Sequence, residues 1–206
     1  MNNLIIVGAG DFGKHLKLNL NKFNSGKLKF NGFFDKKINL KTKYNENNIK
    51  DISKNFFFAN GIGNFAFKWY PKVFSGFKKN GFKFINLKHK TSTISKNVKL
   101  GDGSLFMEHS LIKSNSVIGN FCIINSLSIV SHDVTVGDYC HISLGAKIGG
   151  NCHIGKNSFL GINSTVIQGI KIGSNSIIGA GAVVTKDVGD NVVVFGNPAF
   201  EYRDNY

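Results

Sequence analysis

The stretch VGDYCHISLGAKIGGNCHIGKNSFL, residues 136–160, sets a large apolar residue at every sixth position: Val136, Ile142, Ile148, Ile154 and Leu160. Outward in both directions the phase holds without a break, through Ile94, Leu100, Phe106, Ile112, Ile118, Ile124 and Val130 on one side and Val166, Ile172, Ile178 and Val184 on the other. Four residues after these stand small residues, among them Ser104, Ser116, Cys122, Cys140, Ala146, Cys152, Ser158, Ser176 and Ala182. One residue after them glycine recurs, at 101, 119, 137, 149, 155, 161, 173 and 179.

Three hexads make one coil of a triangular prism, each supplying a short strand and a corner. The large apolar residue points inward and fills the prism. The small residue also faces inward beside the corner, where a larger side chain does not fit, and glycine is expected to ease the tight turn. Coils stack about 4.8 Å apart through parallel pairing. This reading takes the three cysteines as small core residues rather than metal ligands or a disulfide framework.

Residues 1–90 are patterned differently. Leu4 to Val7 reads as a strand, Phe12 to Phe23 as a helix and Leu28 to Phe34 as a second strand. A polar loop follows Lys36. Phe56 to Ala59, Phe65 to Lys79 and Phe82 to Ile85 then read as strand, helix and strand. The order predicts an α/β, Rossmann-like βαβ domain over 1–90, an all-β parallel β-helix over 91–190, and a tail over 191–206 that packs back on the prism. Gly8, Gly10 and Gly13 spell G-x-G-x-x-G between strand and helix, with Asp11 and Phe12 inside the motif and Asp35 closing the second strand. A nucleotide-sugar is the expected ligand there; the alternative is that the glycines merely let strand and helix pack closely.

A formal net charge of +14 invites a nucleic-acid partner. The composition argues against it. Of the 26 basic residues only Arg203 is arginine, and no basic stripe interleaved with exposed aromatics is evident. The chain shows no run of 18 apolar residues and no basic leader at its start, so the expectation is a cytoplasmic protein without a membrane span.

The repeat resembles that of the hexapeptide-repeat acyltransferases, a family whose prisms coil left-handed and assemble as homotrimers with sites between neighbouring prisms. The segments GAGDFG at 8–13, Gly61 to Asn64, Ile124-Ile-Asn-Ser, Ser131-His-Asp, His141-Ile-Ser-Leu-Gly-Ala, Phe159-Leu-Gly-Ile-Asn-Ser and Gly196-Asn-Pro-Ala are similar to those of sugar acetyltransferases of the sialic-acid O-acetyltransferase and bacillosamine N-acetyltransferase type. The resemblance implies acetyl-CoA, or another acyl-CoA, as donor, and a nucleotide-linked amino sugar for surface polysaccharide or lipopolysaccharide as acceptor. O-acetylation of a sialic-acid-like sugar is the alternative. It implies no metal.

On the same resemblance His132 is the general base and Asp133 its acidic partner. His132 follows the inward Val130 by two residues and so points outward, and an imidazole can take a proton from an amine near neutral pH. The resemblance also implies that the backbone N–H of Gly150 faces the oxyanion, that His141 contacts acyl-CoA, and that Ile162 and Ala180 border the pantetheine channel. Gly8 to Gly13, Asp35 and Asn64 would hold the nucleotide. A zinc enzyme like the γ-class carbonic anhydrases is the rival reading, with His132, His141 and His153 as candidates, but their spacing differs from that family's paired ligands.

Overall fold

The computed structural model describes residues 2–35, 44–63 and 70–205. The chain divides into two compact units, Met1–Lys90 and Thr91–Tyr206.

In the second unit the hexads become sixteen two-residue strands, each starting six residues after the last, from Thr93–Ile94 to Val183–Val184. Within each face, neighbouring strands of the series pair in parallel at an offset of 18 residues, as Ile123, His141 and Phe159 do in turn. Three faces result. The first carries the strands that begin at Thr93, Leu111, Ile129, Lys147, Thr165 and Val183; the second begins at Lys99, and the third includes those at Leu105, Ile123, His141, Phe159 and Ile177. The product is a left-handed parallel β-solenoid. From Phe106 to Val184 the inward residues are no more than 2% exposed, so one continuous apolar column holds the coils in register.

The small inward residues stitch coil to coil. Ser104 Oγ donates to the Gly119 carbonyl at 2.9 Å and accepts from the Cys122 N–H at 2.9 Å; Ser158 repeats the pattern with Gly173 at 2.7 Å and Ser176 at 3.1 Å. The cysteines take the same position. Their buried thiols donate to the carbonyls of Gly137, Gly155 and Ile167 at 3.1, 3.0 and 3.1 Å, and burial raises the Cys140 thiol to about 12.

The glycines that follow each apolar residue do not serve the turn as expected. The left-handed backbone sits two residues further on, at Gly103 and then every six residues through His109, Asn115, Phe121, Leu127, Asp133 and Tyr139 to Gly181. What excludes a side chain one residue after the apolar position is the next coil. A Cβ at Gly149 would lie 2.5 Å from the Gln168 nitrogen and one at Gly161 2.6 Å from the Ala180 nitrogen. The coil spacing of parallel pairing, and not φ, selects glycine there. Beyond Val184, the strand Val192–Gly196 continues the third face in parallel with Ile177–Ile178, and Ala199–Asp204 folds back antiparallel to it.

The Rossmann-like α/β domain expected over residues 1–90 is not what the structure holds. Strands β1 (Asn2–Val7), β2 (Leu28–Phe34), β3 (Phe57–Asn60) and β4 (Lys83–Phe84) form a small parallel sheet in the order β2-β1-β3-β4. Among the described residues only two short helices accompany it, α1 (Asp11–Leu18) and α2 (Tyr70–Lys79), and the link from β2 to β3 carries a kinked 3-10 segment, Glu46–Asp51, in place of a helix. The physical reason lies in the chain. Asn19 ends α1 early and leaves Leu18 79% exposed, while the turn onward buries Leu20 and Phe23; the Asn- and Lys-rich link has no apolar period from which to build a packed helix. The sheet is held instead by aromatic packing, with Phe34 and Phe77 rings 4.7 Å apart and Phe74 and Phe84 rings 5.3 Å apart.

Candidate functional site

His132 lies at the corner that follows the first face, two residues past the inward Val130. Its side chain is 54% exposed, and Nδ1 is 2.8 Å from Asp133 Oδ2. Asp133 is held in the left-handed region by the turn, with φ of 59°, which aims its carboxylate back at the preceding ring. Hydrogen bonds from His132 and then Asn115 hold the Asp133 carboxyl below its ordinary value, so it stays ionised and keeps Nδ1 protonated. Nε2 is thereby left as the accepting nitrogen.

One coil above, Gly150 stacks on His132. A Cβ at Gly150 would meet His132 Cε1 at 2.7 Å and Nε2 at 2.8 Å, so the imidazole edge rests against the glycine Cα. Gly150 is buried, and among the described residues its N–H has no backbone acceptor. A base and a spare N–H donor thus occur side by side, which is the equipment for proton transfer beside a developing oxyanion.

His141 lies elsewhere, on the third face, with 4% exposure and its ring edge-on to Phe159 at 5.2 Å. Asn125 Oδ1 accepts from the Ser126 N–H at 2.8 Å, so the Asn125 amide points its NH2 group at His141 Nε2, 3.3 Å away. The network therefore assigns the hydrogen to Nδ1, which is buried without a partner among the described residues. Burial lowers the imidazole to about 4.

That depression makes the fold acid-sensitive. The unfolded chain binds a proton below about pH 6.5 that the folded chain refuses until about pH 4, so the contribution of neutral His141 is complete above about 6.5 and is lost as pH falls toward 4. The expected loss is about 3 kcal/mol. Denaturant midpoints at pH 7.5 and 4.5 should fall less in His141→Gln than in the parent; equal falls would mean that His141 is not the group responsible.

Ile162 and Ala180 occupy a third place, the corner that follows the third face, where both are exposed and the Gly181 N–H donates to the Ile162 carbonyl at 2.8 Å. The protomer therefore gathers His132, Asp133 and Gly150, and sets His141, Ile162 and Ala180 apart from them. Among the described residues no three His, Cys, Asp or Glu side chains gather into a metal site.

In the first unit a cavity of about 830 Å³ is lined by Gly8, Gly10, Asp11, Phe12 and Asp35, together with Lys72 and Asn80. Its size suits a small-molecule ligand. Asp35 also serves the turn, since its Oδ2 accepts the Ala9 N–H at 2.8 Å. Gly13 is not on the wall: it is buried, and a Cβ there would lie 2.0 Å from the Gly8 carbonyl oxygen, so its role is the close packing named above as the alternative. Asn64 lies outside the described residues. Two residues escaped the sequence reading, Asn115 beneath Asp133 and Asn125 beside His141. The first could have been found by counting, because Asn115 precedes Asp133 by one coil of 18 residues.

Residues 151–186 match the model of the bacterial transferase hexapeptide (six repeats) family. No curated protein matches the chain. Among solved structures, PerB from Caulobacter crescentus, in complex with CoA and GDP-perosamine, is 27% identical, with a TM-score of 0.89 and 98% of each chain covered. The acetyltransferase domain of PglB from Neisseria gonorrhoeae, in complex with acetyl coenzyme A, is 29% identical with a TM-score of 0.86, over 98% of this chain and 100% of that one. WeeI from Acinetobacter baumannii is 28% identical with a TM-score of 0.87, over 98% and 100%.

Proposed function

We propose that this chain, a hexapeptide-repeat sugar acyltransferase, moves an acetyl group from acetyl-CoA to the amino group of a nucleotide-linked amino sugar, with His132 as general base. The observation that carries the reading is the His132 imidazole, fixed by Asp133 on one nitrogen and resting on Gly150 at its other edge. The complex of PerB with CoA and GDP-perosamine, across 98% of both chains, supports the pairing of these two substrates.

In the reaction the sugar nitrogen attacks the thioester carbonyl carbon while its proton passes to His132 Nε2. The carbonyl oxygen becomes an oxyanion that accepts a hydrogen bond from the Gly150 N–H. Collapse of the tetrahedral species breaks the carbon–sulfur bond, and the departing thiolate takes the proton back from the imidazolium. No acyl-enzyme is required. The cysteines, buried and with raised thiol values, are poor candidates for one.

His132 and Gly150 stand on one corner, Ile162 and Ala180 on another. A single acyl-CoA meets both pairs where the corner of one copy faces another copy, which favours a homotrimer with sites between prisms. There the unpaired His141 Nδ1–H is a donor for acyl-CoA. The cavity beside Gly8, Gly10 and Asp35 is the proposed seat of the nucleotide, in a protein of the cytoplasm serving surface polysaccharide or glycan synthesis.

The test is thiol release from acetyl-CoA with a panel of UDP-, GDP- and dTDP-linked amino sugars, with the product treated with hydroxylamine. Release with one panel member and a hydroxylamine-stable amide is expected. A hydroxylamine-labile ester would replace amine with hydroxyl as the acceptor. No release with any sugar would sink the proposed acceptor class.

A further inference from the structure

The charge of this protein is confined to one of its two units. Residues 1–90 hold 18 lysines against four acidic residues, a net +14, whereas residues 91–206 hold eight basic and eight acidic residues and are neutral. Among the described residues of the first unit, twelve lysines are exposed. The nucleotide cavity does not account for them, because Lys72 is the only one of the twelve that lines it. Nor does internal pairing, since Lys14 with Asp11 at 2.9 Å is the one exposed lysine–carboxylate pair among the described residues of this unit.

Several of these lysines are knitted into one margin. The Lys90 N–H donates to the Lys22 carbonyl at 2.8 Å, the Lys88 N–H donates to Asn24 Oδ1 at 2.8 Å, and the Lys27 N–H donates to the Asn24 carbonyl at 3.3 Å. Lys17 Nζ lies 5.1 Å above the Phe30 ring, next to Lys29 on β2, an edge strand of the sheet. Leu18, 79% exposed, stands beside Lys17 on α1.

We propose that this margin of the first unit, Lys17, Lys22, Lys27, Lys29, Lys88 and Lys90 with Leu18, docks the enzyme on an anionic phospholipid surface. A plane of lipid phosphates attracts many separate ammonium groups at once, each adding to binding within a Debye length of the surface. Lysine suffices for that, because a diffuse charged plane asks for point charges and not for the planar fork with which arginine grips single phosphates or bases. The first unit has no arginine. Nucleic-acid recognition would also call for exposed aromatic stacking platforms among the cations, while among the described residues of this unit the most exposed large apolar side chain is Leu18, suited to shallow insertion between headgroups. The proposal does not depend on which sugar the enzyme acetylates.

Sedimentation of the full-length protein with vesicles tests it, comparing pure phosphatidylcholine with phosphatidylcholine containing phosphatidylglycerol. At low salt the anionic vesicles should bind at least about tenfold more protein than the neutral ones, and the excess should vanish as salt shortens the Debye length. A variant with the six lysines changed to glutamine should lose the excess, retain its circular dichroism and transfer acetyl groups in solution at the parental rate. In Leu18→Trp, fluorescence should shift to the blue on anionic vesicles alone. Equal binding to both vesicles overturns the proposal, as does salt-sensitive binding to RNA or duplex DNA without binding to anionic vesicles.

Discussion

Replacing His132 with alanine is expected to lower acetyl transfer by about 10²–10⁴-fold, the usual contribution of a general base. The loss should fall on kcat more than on the KM for acetyl-CoA, because the imidazole acts on the amine proton in the transition state. The fold should survive. His132 is 54% exposed and faces out of the prism, so its removal opens no cavity in the apolar column. Asp133→Asn should cost less, since an amide oxygen can still hold Nδ1–H in place while losing the charge that stabilises the imidazolium. Steady-state rates against pH would separate the two: the alanine variant should lose the acid limb of the kcat profile, and the asparagine variant should keep it. An alanine variant with unchanged kcat would remove His132 from the mechanism.

The prism was readable from sequence because one constraint repeats. Every inward position from Ile94 to Val184 meets the same interior, so sixteen hexads report the same physics and the 18-residue coil follows by counting. Local turn chemistry was less readable. The left-handed position is Asn or Gly at nine of its fourteen occurrences, but His109, Phe121, Leu127, Asp133 and Tyr139 interrupt that signal in the earlier coils, while the more prominent glycines answer to the neighbouring coil. In the first unit the motif GAGDFG suggested a Rossmann-like domain, but six residues cannot report that α1 stops at Leu18 or that the described part of the link before β3 holds a 3-10 segment. The site divides along the same line. His132 and Asp133 are adjacent in sequence, so their pairing was visible. The burial of His141 depends on Phe159 and Asn125, one in the next coil and one in the coil before, and only the packed structure shows that its ring is neutral and which nitrogen bears the hydrogen.

Gly150→Ala should be nearly as damaging as the loss of His132, and for a reason that sequence alone does not state. The Gly150 backbone is outside the left-handed region, so alanine brings no conformational strain. Its methyl group would instead lie 2.7 Å from His132 Cε1 and 2.8 Å from Nε2, closer than any real contact. The exposed ring can swing away cheaply, so stability should change little. The base then leaves its position, and a displacement near 1 Å is enough to cost about 10²-fold in rate. The two substitutions should therefore be strongly non-additive: once His132 is alanine, Gly150→Ala has no ring to displace and should lower the residual rate only slightly. Rates for the two single variants and the double variant measure this directly. Full additivity would mean that Gly150 acts without His132, and an active Gly150→Ala enzyme would mean that the imidazole does not need the place it occupies against the next coil.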